Sequence, residues 1–584
     1  MSENQRLRRA RPVLALAAVA FVAGVIVGAN AGGSPADALA ARFVKAWTRH
    51  EYAAMYDDLD ASSRRSVSVG GLAAACTEAL TTATALGTRV TGRARGEPDG
   101  RIAVPVRVTT RLFGTLELDY ALPVRESEGA MHIAWSRSLA FPGLDPGEQL
   151  SRRTTLPQRA PLLARDGSVL AEGPAGNAVT GEAGETTRSS PLGEAANAVI
   201  GTVGPPPASR RRELEAEGVP TDGLVGISGL ERALDARLRG TPGGVLLAGQ
   251  RVIGAARSRP ASPVRTSVSP DIQRAAVAAL GGQLGGVVVM QPSTGQLLAV
   301  GGLGLDGLQP PGSTFKMVTL TGVLSAHVAS THTTFPYATY ATLDGVKLNN
   351  ANGEECGGTL EHAFAVSCNS VFTPLGVRLG AKRLVAAAER FGFNHDPGIP
   401  GAAESTLPPA SQIQGELDVG STAIGQGQVL ATPLQMLTVA ATVADGGRRP
   451  RPTFEAGAGA EFLARAMSSS VARTVRHLMT DVVREGTGVS AAIPGVTVAG
   501  KTGTAELKTE CAQTGTAGES ASESGSSGCH QSEASNTDAW FAAFAPAVHP
   551  RIAVCVMLVK DGAGGTTAAP VAREVIEAAL KAGI

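Results

Sequence analysis

The sequence predicts an α+β chain built from several domains. Two observations carry that reading. Residues 34–143 pass from helical spacing, with Leu39, Phe43 and Trp47 every fourth position, to alternation, with Ile102, Val104, Val106 and Val108 every second. From residue 265 on, two apolar strands around a Pro-Ser-Thr-Gly turn precede helical stretches, and two more strands and an amphipathic helix close the chain. The 584 residues allow two to four domains. Hydrophobic residues make up 43% and charged residues 18%, a globular balance. A net charge of +1 gives no field over the whole surface that would attract nucleic acid, so no nucleic-acid partner is expected.

The N-terminus sets the compartment. Arg6, Arg8, Arg9 and Arg11 precede an uncharged run whose apolar heart is Val13 to Ala29. Positive flanks stay on the cytoplasmic side, which places the rest of the chain outside. We read residues 1–11 as a cytoplasmic tail and 12–31 as a transmembrane signal-anchor in the plasma membrane. Cleavage after Ala29-Asn30-Ala31 is the alternative. Either way the following domains face a space where disulfides persist.

Residues 34–143 read as a small α+β domain. Tyr52, Tyr56 and Leu59 extend the helical signal, Leu116, Leu118, Tyr120, Leu122 and Val124 form a second strand, and Ile133 and Trp135 suggest a third. Residues 150–262 read as a short pedestal. Within it Arg159 to Ala171 looks like two short strands joined at Asp166-Gly167, residues 173–190 read as a loop, and Arg210 to Arg212 as a solvated helix start.

Residues 265–584 carry the chemistry. Pro270 to Leu280 reads as a helix, and Val287 to Met290 with Gln296 to Val300 as a hairpin. Gly302-x-Gly304-x-x-Gly307 matches a dinucleotide fingerprint, but Pro310 and Pro311 intervene before any helix, so it reads as a loop. The nine histidines are scattered, with no H-E-x-x-H, and no cysteine pair has C-x-x-C spacing. We therefore expect no metal and no cofactor.

Ser313 and Lys316 open the next apolar run, Met317 to Leu324. Residues at i and i+3 share a helix face, so the Lys316 amine is expected to reach the Ser313 hydroxyl and activate it. Ser367-Cys368-Asn369 offers a hydroxyl relay and an amide within helical surroundings. Lys501-Thr502-Gly503-Thr504 follows Val496 to Gly500 and reads as a strand start, an edge able to pair with an extended peptide. Gly503 permits close backbone approach there.

Each triplet alone is common; all three, in this order and on suitable elements, are rare. Together they resemble class B penicillin-binding proteins, the peptidoglycan D,D-transpeptidases of bacteria. Residues 34–142, through Phe141-Pro142-Gly143-Leu144, are similar to the N-terminal domain of the methicillin-resistance type. The stretches Arg159 to Ala171 and Gly226 to Glu231 resemble the start and end of the family's dimerisation domain, and Cys356 and Cys368 look like actinobacterial members. The resemblance implies a β-lactamase-like, penicillin-recognising fold over 265–584, a five-stranded antiparallel sheet with helices on both faces.

It also implies roles. Ser313 is the nucleophile, Lys316 its base, Ser367 a proton relay, and Asn369 a holder of the donor peptide that orients Lys316. Lys501 supplies positive potential for the substrate carboxylate, helped by Thr502 and Thr504, and the backbone N–H groups of Ser313 and Thr504 form the oxyanion hole. The implied partners are stem peptides, β-lactams, and a separate glycosyltransferase of the wall machinery.

The residues alone leave the acceptor open. Water in place of an amine gives a carboxypeptidase or a β-lactamase, and a β-lactam sensor or scaffold is the non-catalytic alternative. No clear E-x-x-L-N element lies between Asn369 and Lys501, and Glu416 reads as a solvated loop carboxylate. Disulfides Cys356–Cys368 and Cys511–Cys529 are expected, the second pinning an insert over 506–536. Cys76 and Cys555 sit in apolar runs and read as buried thiols.

Overall fold

A computed structural model describes residues 34–127, 129–175, 186–506 and 536–584. The expected anchor, the expected Cys511–Cys529 disulfide and nearly all of the insert lie outside the described residues. Among the described residues no helix is long and apolar enough to cross a membrane. The chain forms two compact units. The stretch read as a pedestal is shared between them: Pro205–Leu224 and Arg239–Ala261 belong to the first, Ala160–Gly204 and Val225–Leu238 to the second.

In the first unit, helix Pro35–Thr48 starts at a Ser34–Asp37 capping box, which satisfies end N–H groups that would otherwise lack partners. Its Leu39, Phe43 and Trp47 are buried, as their spacing predicted. Trp47 meets Tyr120 edge-on, with ring centroids 5.3 Å apart. Tyr120 lies on strand Thr115–Leu122, which pairs with Ile102–Thr110. The strand expected to run to Val124 stops at Leu122. Pro123 has no N–H to continue the ladder, and Val124–Ser127 instead forms a hairpin with Ala130–Ile133. Trp135 lies beyond that strand, where its backbone N–H donates to Ser63 Oγ at 2.8 Å. Strand Ala85–Val90, which the sequence reading missed, adds to the sheet along Ile102–Thr110. Cys76 is a buried free thiol here, and Cys555 is another in the second unit.

The second unit opens with the expected strand pair, Leu162–Leu163 against Val169–Ala175. Arg188 and Glu231 form a fully buried ion pair at 3.0 Å. Gly226 is required beside it, because a Cβ there would lie 1.8 Å from the Glu231 carbonyl oxygen.

Seven helices and five strands of this unit place the site. They are α1 (Pro270–Leu280), β1 (Gly285–Gln291), β2 (Gln296–Gly302), α2 (Lys316–Ser325), α3 (Leu360–Ala365), α4 (Asn369–Leu379), α5 (Pro433–Ala444), α6 (Ser469–Arg484), β3 (Ala499–Glu506), β4 (Thr537–Ala545), β5 (Ile552–Leu558) and α7 (Ala568–Lys581). The strands form one sheet in the order β2-β1-β5-β4-β3, each neighbouring pair antiparallel. β4 and β5 are buried along their whole length, because helices cover both faces. On one face α1 and α7 pack Ile272, Ala276, Val575 and Ile576 against Val287, Phe541 and Val554. On the other lies α5, buried from end to end, the central helix behind the site. β3 is an edge strand of this sheet, as expected.

Candidate active site

Ser313 does not sit in the first turn of an α-helix, as its spacing suggested. Gly312–Phe315 forms a 3₁₀ turn and the α-helix begins at Lys316. In a 3₁₀ turn residues i and i+3 eclipse, so Ser313 and Lys316 remain stacked. The turn is wedged between two segments. Gly312 has φ +51°, donates its N–H to the Gly425 carbonyl at 3.0 Å, and would bring a Cβ to 2.8 Å from the Thr504 carbonyl oxygen. Gly503 faces it from β3, where a Cβ would lie 2.7 Å from the Pro311 carbonyl oxygen. Two glycines thus let the nucleophile turn lie directly on the edge strand.

Lys316 is fully buried, and its amine is held by Ser367 and Asn369. Nζ donates to the Ser367 carbonyl at 2.6 Å and to Asn369 Oδ1 at 2.6 Å, and stands 3.4 Å from Ser367 Oγ. Among the described residues it makes no hydrogen bond to Ser313. Burial first, and the charge of Lys501 second, hold its pKa well below that of an ordinary lysine.

Ser367 has φ +61°, unusual for a residue with a Cβ. The cause is local. Ser367 N–H donates to the Phe364 carbonyl at 3.1 Å and Cys368 N–H to the Ala363 carbonyl at 2.8 Å. These two bonds form the Schellman end of α3, with serine where glycine is usual. The turn leaves the Ser367 hydroxyl between two amines, with Lys501 Nζ donating to it at 2.8 Å. Lys501 is also fully buried, and burial brings its pKa down to about 7. The rings of Phe372 and Phe364 lie 5.5 and 5.6 Å from the amines of Lys316 and Lys501.

Asn369 begins α4. Its Nδ2 donates to the Asn349 carbonyl at 2.9 Å, which leaves Oδ1 for Lys316. The expected disulfide Cys356–Cys368 is present, its Cα atoms 5.8 Å apart, and it ties the Ser-Cys-Asn turn to strand Cys356–Thr359. Thr502 Oγ1 lies 2.5 Å from Thr487 Oγ1, and Thr504 Oγ1 accepts from Gly564 N–H at 3.4 Å.

The structure therefore gathers Lys316, Ser367, Asn369 and Lys501 into one hydrogen-bonded group, beside the turn that carries Ser313. Sequence reasoning missed Thr487, Asn349 and Asn350, which belong to no spaced motif, and expected Glu416 in a loop. Glu416 lies in the first turn of helix Gly415–Ala423, exposed to solvent. Outside the site, Glu361 and Asp481 lie 3.3 and 3.8 Å from His477 Nε2, linking α3 to α6. Burial first, and Glu361 next, raise the Asp481 carboxyl above the usual range.

A serine on a tight turn, two buried lysines of depressed basicity and an edge strand define a serine acyltransferase of the β-lactamase-like fold. Residues 285–577 match the penicillin-binding protein transpeptidase domain, 182–255 the penicillin-binding protein dimerisation domain, and 35–148 the NTF2-like N-terminal transpeptidase domain. The chain is 33% identical over 423 residues to the peptidoglycan D,D-transpeptidase PbpA of Mycolicibacterium smegmatis, covering 61% of this chain and 80% of that protein. It is 34% identical over 384 residues to PbpA of Mycobacterium tuberculosis, covering 54% of this chain and 72% of the relative. A structure of M. tuberculosis penicillin-binding protein A as a ceftriaxone acyl-enzyme superposes with a TM-score of 0.55 at 27% identity, over 72% of this chain and 98% of that one. Pseudomonas aeruginosa PBP2 in complex with WCK 5153 superposes at 0.59 and 25% identity, over 74% and 97%. The chain belongs to the class B penicillin-binding proteins, transpeptidases of the bacterial cell envelope. The match at residues 35–148 bears out the N-terminal domain read from Phe141 to Leu144 and the residues before it.

Proposed function

We propose that this chain cross-links peptidoglycan stem peptides through an ester on Ser313 and is acylated at the same oxygen by β-lactams. The observation that carries the reading is the convergence of Lys316, Asn369 and Lys501 around Ser367, next to the Ser313 turn. Neutral Lys316 takes the hydroxyl proton as Ser313 Oγ bonds to the carbonyl carbon of the penultimate D-alanine. The oxyanion is held by the backbone N–H groups of Ser313 and Thr504, each such donor contributing about 10²–10³ in rate. Collapse breaks the C–N bond. The proton reaches the leaving amine through Ser367 Oγ, which lies within reach of both lysines. Asn369 holds the donor peptide, and charged Lys501, with Thr502 and Thr504, attracts its terminal carboxylate. The amine of a neighbouring stem peptide then attacks the ester and frees Ser313. In a β-lactam the broken C–N bond lies in the ring, so the amine stays tethered to the acyl group.

In this reading residues 1–11 stay cytoplasmic and 12–31 anchor the chain as a single pass. Residues 34–143 and 150–262 lie between the anchor and the transpeptidase domain over 265–584. Glycan strands come from a separate glycosyltransferase.

The test compares wild type with Ser313→Ala on a donor stem peptide, with and without an acceptor amine. Cross-linked product that vanishes in the variant supports the proposal. Hydrolysis alone, indifferent to the acceptor, replaces it with a carboxypeptidase. Rapid turnover of penicillin replaces it with a β-lactamase, and acylation without any peptide chemistry with a sensor.

A further inference from the structure

Asn350 lies outside the three motifs, yet its side chain is among the most heavily bonded near the site. It is 5% exposed. Its Nδ2 donates to the carbonyls of Ala338 at 2.7 Å and Glu354 at 2.8 Å, and lies 3.3 Å from Ser370 Oγ. Its Oδ1 accepts the Ser370 N–H at 2.8 Å. That last bond matters for α4. The residue at its N-cap, Cys368, makes no side-chain cap bond, being committed to the disulfide. An exposed or buried first turn needs acceptors for its free N–H groups. Asn350 supplies one from twenty residues away.

The residue before it completes the clamp. The Asn349 carbonyl accepts from Asn369 Nδ2, so the same dipeptide grips Asn369 twice, at its side-chain amide and at the backbone that follows it. An amide has one donor end and one acceptor end. With Nδ2 committed to Asn349, Oδ1 must face Lys316, where it accepts the amine at 2.6 Å.

We propose that Asn350 is a positioning residue for acyl transfer. It caps the helix that begins at Asn369 and, through the adjoining Asn349 carbonyl, fixes the acceptor end of the Asn369 amide on Lys316. This rests on the acyl-transfer reading above. Asn350 touches neither substrate nor Ser313; it acts through Asn369. Losing it lets the amide rotate or slip, and a displacement of about 1 Å in a catalytic group costs on the order of 10²-fold in rate.

The test is a double-mutant cycle read by the rate of acylation with a fluorescent penicillin. The proteins are wild type, Asn350→Leu, Asn369→Ala and the double variant, with Asn350→Asp as the milder change. Asn350→Asp keeps an acceptor for Ser370 N–H but loses the donors to Ala338 and Glu354. We expect Asn350→Leu to slow acylation about 10²-fold and Asn350→Asp to fall between it and wild type. The double variant should be no slower than Asn369→Ala by more than about 3-fold, because both changes act on one amide. A purely structural residue would instead multiply its effect onto that of Asn369→Ala. Effects that multiply, or wild-type rates in both Asn350 variants, overturn the proposal. If Asn350→Leu does not fold, the cycle is run with Asn350→Asp, under the same criteria. A wild type that fails to label overturns the acyl-transfer reading itself. Labelled wild type with additive variants overturns only the role of Asn350.

Discussion

Lys316 and Lys501 point their amines at one oxygen: Nζ of Lys501 lies 2.8 Å, and Nζ of Lys316 3.4 Å, from Ser367 Oγ. Two buried ammonium groups so close to each other are unfavourable, and among the described residues no carboxylate bonds to either. As pH rises, one of them loses its proton well below the ordinary lysine range. The two roles proposed for them need opposite states, a neutral Lys316 to act as base and a charged Lys501 to attract a carboxylate. Lys316, which feels both burial and its neighbour's charge, is the one expected neutral first.

That ordering fixes the pH profile of acylation. The rate constant at low penicillin concentration should rise as Lys316 loses its proton, at a pH well below the ordinary lysine value of 10.5. It should fall again as Lys501 loses its charge, near pH 7 in the free protein. A bell-shaped curve is expected from stopped-flow acylation between pH 5 and 10. A rate still rising at pH 9 would remove Lys501 from carboxylate attraction.

The same shifts predict stability. Both lysines have folded-state pKa values below their unfolded ones. Between about pH 7 and 10.5 the unfolded chain therefore binds protons that the folded chain does not, and stability rises with pH across that window. Lys501→Met should abolish substrate attraction yet stabilise the fold at pH 6. The gain is of the order of a few kcal/mol, at about 1.4 kcal/mol per unit of displaced pKa. Urea unfolding at pH 6 and pH 9 checks this: the variant's advantage should shrink at the higher pH.

Gly503→Ala should separate the nucleophile turn from the edge strand. The added methyl would meet the Pro311 carbonyl oxygen at 2.7 Å and Thr314 Cγ2 at 3.0 Å. Overpacking of this kind costs about 1–3 kcal/mol. Acylation should fall by about 10²-fold, because the Thr504 N–H moves with the strand. Gly459→Ala, where a Cβ meets nothing within 4 Å, is the control and should leave both unchanged.

Removing the disulfide with Cys356→Ser and Cys368→Ser should cost about 2–3 kcal/mol, as suits a sequence separation of 12. Acylation should slow as well, since Cys368 lies between Ser367 and Asn369. Thermal melting and penicillin labelling of the double variant, against oxidised wild type, measure the two effects separately.

Local patterns made much of this molecule legible. The four-residue spacing of Leu39, Phe43 and Trp47 gave a buried helix face, and the alternation around Val104 and Val106 gave a sheet, because burial follows the period of the backbone. The order of Ser313, Ser367, Asn369 and Lys501 gave the family. Boundaries were less legible. The strand through Leu122 reads as continuous in hydropathy, and only the missing N–H of Pro123 ends it.

By itself, the sequence determined which groups could do chemistry and on which kinds of element they sit. Only the tertiary structure decided what those groups touch. Lys316 bonds to Ser367 and Asn369, Thr487 meets Thr502, and Asn350 caps a helix it is not part of. Hydropathy periodicity encodes burial, whereas a hydrogen bond between residues distant in sequence depends on where two elements come to rest. Ser313 and Lys316 are brought together by three residues of backbone, but Lys501 reaches Ser367 only because β3 closes the edge of the sheet beside the turn at the end of α3.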